Sequence, residues 1–287
     1  MQLFTFDELQ SRLVHMGGGD PLSMPGATVV VLPSLEVDRH VLARHADVLS
    51  ACEERALYQL LLLRRPDLRL VFISSEPVDE HTIRGYVELL PASERNGARA
   101  RLVTLSPDDA SPRPLSEKLL ERPDMVERLR DLVTDPTRAF MAPYAVTSAE
   151  RELALRLGLP VYGTPPDQAS WGTKSGARRL FAEERIAHPA GVDHVRTPEE
   201  LAAAAAAVRV MRPAAAGAVV KLDGGIYGEG NRVLTFDDLP PTGGAAERDA
   251  LARRIVALGD EYLGEVAASS AVVEELLTGS ELHSPSV

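Results

Sequence analysis

The chain has 287 residues, enough for about two domains at ~150 residues each. Hydrophobic residues make up 45% and charged residues 25%, an ordinary globular mixture; 21 glycines and 21 prolines promise many loops but no collagen-like or low-complexity chain. A formal charge of −11 argues against binding a nucleic-acid backbone, which needs clustered Lys and Arg.

A single cysteine excludes an internal disulfide and a Cys-based zinc site, and points to a reducing, cytoplasmic compartment. The opening MQLFTFDELQ has neither a basic segment nor an apolar run, so no signal peptide is expected. The longest apolar stretches, Val29–Leu32, Leu60–Leu63 and Ala202–Val208, fall short of the ~20 residues that span a bilayer. The expectation is a soluble two-domain protein with neither membrane nor nucleic acid as partner.

Residues 1–165 alternate between two periods. Ala27–Leu32 is a β-branched run stopped by Pro33, and Ala46–Arg65 carries apolar residues at helical spacing. Arg69–Ser74 predicts a second strand, Asp79–Leu90 a helix, Arg99–Leu105 a third strand and Ser116–Val133 a helix with a break at Pro123. Arg138–Met141 predicts a fourth strand. Thr147–Leu157 is a helix with Thr147 and Glu150 spaced as a capping box and Gly158 as its stop. Leu159–Tyr162 predicts a fifth short strand. Strands that are apolar throughout, separated by helices, predict a doubly wound parallel sheet. The Pro33-Ser34-Leu35 turn lacks the glycines of a dinucleotide site.

Residues 166–287 change rhythm. Lys174–Ile186 predicts a helix; Thr197 and Pro198 open another, which runs through Ala202–Ala207, read as helix propensity with close packing. Ala218–Leu222 and Arg232–Phe236 predict strands flanking a glycine-rich loop, Arg248–Gly264 a helix and Ala271–Leu277 a strand. This half is predicted to be α+β.

Three segments carry candidate chemistry. Lys221 sits in an apolar strand, with Gly224, Gly225, Gly228, Gly230 and Asn231 following. Such a loop can turn N–H groups toward an anion, with the lysine as charged donor; a flexible turn with a snorkelling lysine fits equally well. A Rossmann fingerprint from Gly228 fails at Val233, and a Walker A loop ending at Lys174-Ser175 fails at Gln168 and Thr173. Lys174 opens a helix whose free N–H groups suit phosphate, or is simply an exposed lysine. Glu274, Glu275, Leu276, Leu277 and Glu281 follow an apolar strand and fit a plain strand end and solvated turn when taken alone. The seven histidines are scattered without metal-ligand spacing, and Cys52 lies on an apolar helix face as a small hydrophobe.

In order and spacing these segments resemble the ATP-grasp superfamily. Val29–Leu35, Glu53–Arg65, Val71–Pro77, Lys118–Pro123 and Gly172–Phe181 resemble pheganomycin-type peptide ligases, which carry a pre-ATP-grasp domain. The resemblance implies a Rossmann-like pre-ATP-grasp domain over 1–165 and the first, α+β part of an ATP-grasp domain over 166–287. It also implies an ADP-forming ligase that joins a small-molecule carboxylate to an amine or peptide through an acyl phosphate. ATP would be bound by Lys174 and Lys221 at the phosphates and by the Gly224–Asn231 loop above them. Glu274–Leu277 would be the adenine hinge, with backbone groups of Glu275 and Leu277, and Glu281 would take the ribose. No residue is assigned to the chemical step. Mg²⁺ would come with ATP, its ligands expected downstream of Glu281, and 282–287 resembles the start of another strand. On that reading this chain is catalytically silent, at best a weak ATP binder, and prone to aggregate or homodimerise through an unpaired Ala271–Leu277 edge. The competing readings are a non-catalytic nucleotide-binding or interaction module, and an unrelated α/β enzyme with structural lysines.

Overall fold

The computed structural model describes residues 4–35, 39–225, 228 and 230–279. Two compact units divide the chain, Met1–Ala169 and Ser170–Val287.

In the first unit β1 Thr28–Leu32, β2 Arg69–Ile73, β3 Leu102–Leu105 and β4 Ala139–Pro143 form a parallel sheet in the order β3-β2-β1-β4. Its helices are α1 Phe6–His15, α2 Arg39–Arg44, α3 Leu49–Arg55, α4 Glu80–Val87, α5 Arg95–Arg101, α6 Leu115–Leu120, α7 Pro123–Leu132 and α8 Ser148–Leu157. Both sheet faces are covered. Val30 and Leu32 pack with Leu115, Met125, Leu129 and Leu153, whereas Val29 and Val31 pack with Leu57, Leu60, Leu63 and Ile83. A strand buried on both faces has no polar side to show, which is why these runs lack alternation.

Several expectations change. Leu159–Tyr162 is not a strand but a single parallel bridge, Met141 to Val161. The expected helix over Ala46–Arg65 is only partly α: Ala56–Arg64 is a 3₁₀ helix, with Leu57, Leu60 and Leu63 fully buried at intervals of three. That is the 3₁₀ period, in which side chains three apart eclipse. The run preceding β3 is helical as far as Arg101. The α1 helix had no counterpart in the sequence reading, although Thr5 and Glu8 form a capping box and Phe6 and Leu9 are buried. The α8 capping box and its Gly158 stop follow the reading.

Beyond the carboxyl end of β2 lies a buried polar relay. Lys118 donates to Ser75 Oγ (2.8 Å) and to the Asp109 carbonyl (2.7 Å). The Glu53 carboxylate accepts the Ser75 N–H (2.6 Å) and the Ser75 hydroxyl (2.8 Å).

In the second unit β5 Gly191–Val195, β6 Gly217–Leu222, β7 Asn231–Thr235 and β8 Ala271–Glu275 form an antiparallel sheet in the order β5-β8-β6-β7. The helices are α9 Lys174–Glu183, α10 Pro198–Met211, α11 Ala245–Val256 and α12 Asp260–Ser269. The expected helix over Arg248–Gly264 breaks at Gly259, whose φ of 92° is left-handed. Ala204 and Ala205 of the alanine run are buried in the core that α10, α11 and α12 build against one sheet face.

β5 was missing from the sequence reading, and its presence corrects the expected unpaired edge. β8 is an interior strand, paired with β5 on one side and β6 on the other, so aggregation or homodimerisation through an Ala271–Leu277 edge loses its basis. GVDHV escapes a pattern search because its ladder is irregular between Val192 and Val195, where His194 has a φ of 55°. Among the described residues no helix is long and apolar enough to cross a membrane.

Candidate functional site

The second sheet has two unlike faces. Ala218, Val220, Leu222, Ala271 and Val273 point into the core. The alternate residues Val219 and Lys221 of β6 and Val272 and Glu274 of β8 share the opposite face, by the pairing of Lys221 with Val272 and of Val219 with Glu274. α9 packs over β5 and β8. On β7 the same face shows Val233, 54% exposed. This half of the face is open to solvent, and Lys221 lies beside it, its side chain 30% exposed.

Lys174 and Lys221 both reach this area. Lys174 Nζ donates to the Leu222 and Gly225 carbonyls, each at 2.7 Å. Burial pushes its ammonium below the ordinary lysine range, with Asp223 and Glu274 opposing that shift and Lys221 adding to it. Lys221 Nζ lies 2.5 Å from Glu274 Oε2. The other Glu274 oxygen accepts Arg178 Nη1 at 2.7 Å. Burial works to raise the Glu274 carboxyl, but the bonds from Lys221 and Arg178 outweigh it and hold the group below the usual carboxylate range. Arg178 also bonds Asp193 (2.5 Å) and the Pro189 carbonyl (2.8 Å).

The expectation that the α9 N-terminus offers its N–H groups to phosphate is corrected. The Gly176 N–H goes to Thr173 Oγ1 (3.0 Å), and the Ser175 N–H goes to Asp223 Oδ1 (2.7 Å). An N-cap and a buried carboxylate already meet the need that an anion would. What α9 still directs toward the face are the Lys174 and Arg178 side chains.

The glycine loop divides similarly. The Gly225 and Asn231 N–H groups bond inside the loop, to Leu222 O (3.1 Å) and Gly228 O (3.0 Å). Gly228 has a φ of 77°, and a Cβ on Gly230 would sit 2.8 Å from the Leu222 side chain, so these two positions require glycine. Gly224 has open space where a side chain would go. The loop is anchored from below by Tyr262, whose hydroxyl donates to the Gly230 carbonyl (2.8 Å); burial pushes that phenol up to about 12.

Of the expected hinge, Glu275 ends β8. Its N–H bonds the Ala190 carbonyl (2.8 Å), but the Ala190 N–H turns to the Glu275 carboxylate (2.8 Å) rather than to the carbonyl in the ladder. The Leu276 N–H bonds Gly217 O (2.9 Å), and Leu277 is 58% exposed. Glu281 lies outside the described residues.

Arg178, Asp193, Asp223 and Tyr262 were not among the sequence candidates. Arg178 was findable, since it stands four residues after Lys174 and therefore on the same helix face. Asp193 and Tyr262 carried no local signal.

Gly191 makes the Glu274 arrangement possible. It lies opposite Glu274 on β5, and a Cβ there would stand 2.4 Å from the Val273 carbonyl oxygen. Backbone cannot yield as a side-chain tip can. Gly191→Ala is expected to destabilise the second unit by about 1–3 kcal/mol, the usual penalty of overpacking. Urea unfolding checks this; an unchanged midpoint would show that the β5–β8 contact is looser than described.

Residues 59–159 match the family described as the pre-ATP-grasp domain. The chain is 31% identical over 263 residues to the L-propargylglycine–L-glutamate ligase of Streptantibioticus cattleyicolor, a match covering 88% of this chain and 53% of that protein. It thus spans about half the length of that curated relative. Among solved structures it is similar to D-alanyl-alanine synthetase A from Vibrio cholerae, with a TM-score of 0.43 and 13% identity over 89% of this chain and 60% of that one. The biotin carboxylase domain of the Hydrogenobacter thermophilus 2-oxoglutarate carboxylase gives a TM-score of 0.42 and 13% identity over 86% and 43%. Residues 59–159 thus match the pre-ATP-grasp domain family, and the chain as a whole is similar to part of an amino-acid ligase.

Proposed function

We propose that the protein is an ATP-dependent, ADP-forming carboxylate–amine ligase, and that the lysine-bearing face of its second sheet receives the nucleotide. The observation that carries this is the meeting of Lys174 and Lys221 beside the glycine loop, in a chain 31% identical to an amino-acid ligase. Two ammonium groups directed to one surface beside a glycine loop offer charged N–H donors to an anionic ligand.

In the proposed reaction a carboxylate oxygen attacks the γ-phosphorus of ATP and ADP leaves. An amine nitrogen then attacks the acyl carbon, phosphate departs with the old carboxylate oxygen, and the amine loses a proton. Positioning and charge neutralisation do most of this work. Here Lys174 and Lys221 would turn N–H donors toward phosphate oxygens, and the Glu275 carbonyl, passed over by Ala190, would take the adenine amino group. Glu281 would take the ribose hydroxyls. The named relative supports amino acids as the substrates, and the single cysteine supports a cytoplasmic setting. Among the described residues no cluster of His, Cys, Asp or Glu suits a metal; Mg²⁺ would come with ATP.

Calorimetry with ATP and with adenosine tests the site, the expected result being tighter binding of ATP. Equal or absent binding overturns the phosphate assignment. ADP release that requires an added amino-acid mixture, assayed on the protein as its gene encodes it, marks the ligase. ATP binding without any ADP release favours a non-catalytic nucleotide-binding module.

A further inference from the structure

The four side chains Asp193, Arg178, Glu274 and Lys221 form a line of alternating charge across the sheet. Their successive contacts measure 2.5, 2.7 and 2.5 Å. They come from β5, α9, β8 and β6, so the line crosses three adjacent strands and ends at the open half of the face. Exposure changes along it: the Arg178 and Glu274 side chains are 8% and 9% exposed, and Lys221 is 30% exposed.

We infer that Arg178 is a positioning residue for Lys221, acting through Glu274. This rests on the reading of Lys221 as a phosphate ligand. Glu274 uses one carboxylate oxygen for each cation. Arg178 cannot move when Lys221 does, because Asp193 and the Pro189 carbonyl hold its guanidinium from the other side. One Glu274 oxygen is therefore fixed, the plane of the carboxylate is fixed with it, and the second oxygen presents a constant acceptor to a flexible ammonium. A lysine stem loses much rotamer freedom when it is held. A lysine already held at the edge of the face loses less of that freedom on meeting a ligand.

The charges explain why this matters. Lys174, Lys221 and Arg178 stand against Asp193, Asp223 and Glu274, so the formal charges of these six side chains sum to zero. A polyphosphate arriving here meets directed N–H donors rather than a net positive field. The value of Lys221 then lies in where its ammonium is, and that is set two side chains away. Arg178 is also four residues from Lys174 on α9, so one rigid helix carries both the lysine at the loop base and the arginine behind the second lysine.

A double-mutant cycle on the protein as its gene encodes it tests this, with ATP and adenosine as the two probes. Arg178→Met is expected to weaken ATP about ten-fold and leave adenosine unchanged, and in a Lys221→Met background to weaken ATP less than about two-fold further, the mark of residues acting as one unit. Arg178→Lys should recover part of the loss. A merely structural arginine would give equal losses for ATP and adenosine, and that result overturns the inference. So do full losses that multiply in the double variant, and an unchanged ATP affinity in Arg178→Met. If Arg178→Met shows no melting transition, Arg178→Lys and Asp193→Asn carry the same cycle. If Lys221→Met alone leaves ATP affinity unchanged, the phosphate reading falls and takes this inference with it. If Lys221→Met weakens ATP but the losses are independent, only the role of Arg178 falls.

Discussion

Lys221→Met is expected to weaken ATP binding by about ten- to a hundred-fold, from the ~1.5–3 kcal/mol that a charge-assisted hydrogen bond contributes. Methionine keeps most of the aliphatic stem along β6, so the pairing with β7 and β8 is undisturbed. Glu274 keeps its bond to Arg178 and is not left as an isolated buried charge. The melting temperature should therefore move by no more than about 5 °C, which corresponds to roughly 1 kcal/mol in a unit of this size. The ammonium must leave Glu274, or share it, when a phosphate arrives. That exchange puts the loss nearer ten-fold if Glu274 is the better acceptor and nearer a hundred-fold if the phosphate is. Calorimetry with ATP beside a thermal melt separates the two effects. An intact melt with unchanged ATP affinity would remove Lys221 from the phosphate site.

The first sheet was legible because burial on both faces leaves unbroken apolar runs, and β1, β2 and β4 fall close to where those runs stand. The 56–64 segment was misread because Leu60, Leu61, Leu62 and Leu63 satisfy two periods at once; which residues are buried decides between them, and that is settled by Phe72, Ile83 and their neighbours rather than locally. β5 escaped because its residues are chosen for the site rather than the core. Gly191 clears space beside Glu274, Asp193 holds Arg178, and neither shows a strand's alternation. The two lysines and the glycine loop were legible as motifs. The counter-charges were not, since the Arg178–Glu274 pair spans 96 residues of sequence and Ser175–Asp223 spans 48. A pairing across such distances exists only once the sheet has set its register.

Lys118→Met is expected to cost the first unit about 3–5 kcal/mol at pH 7, the usual result of removing one partner from a buried charge pair. Lys118 is 2% exposed and Glu53 is 3% exposed, and their charges are linked through Ser75. Burial already pushes the Glu53 carboxyl above its ordinary range, against the opposing Ser75 bonds and the Lys118 charge. Without that charge the carboxyl must rise further. A carboxyl whose folded pKa lies above its unfolded value takes up a proton on folding, so the penalty is full above the folded pKa and shrinks as pH falls through it. The variant should thus lose less relative to the parent at pH 5 than at pH 7. Adding Glu53→Gln should recover most of the loss, because a glutamine keeps an acceptor for Ser75 and brings no charge. Thermal melts of the parent, the single variant and the double variant at both pH values check this. Equal losses at pH 5 and pH 7, with no rescue by Glu53→Gln, would mean that Lys118 stabilises the unit through its bond to the Asp109 carbonyl and its packing, and that Glu53 is indifferent to its charge.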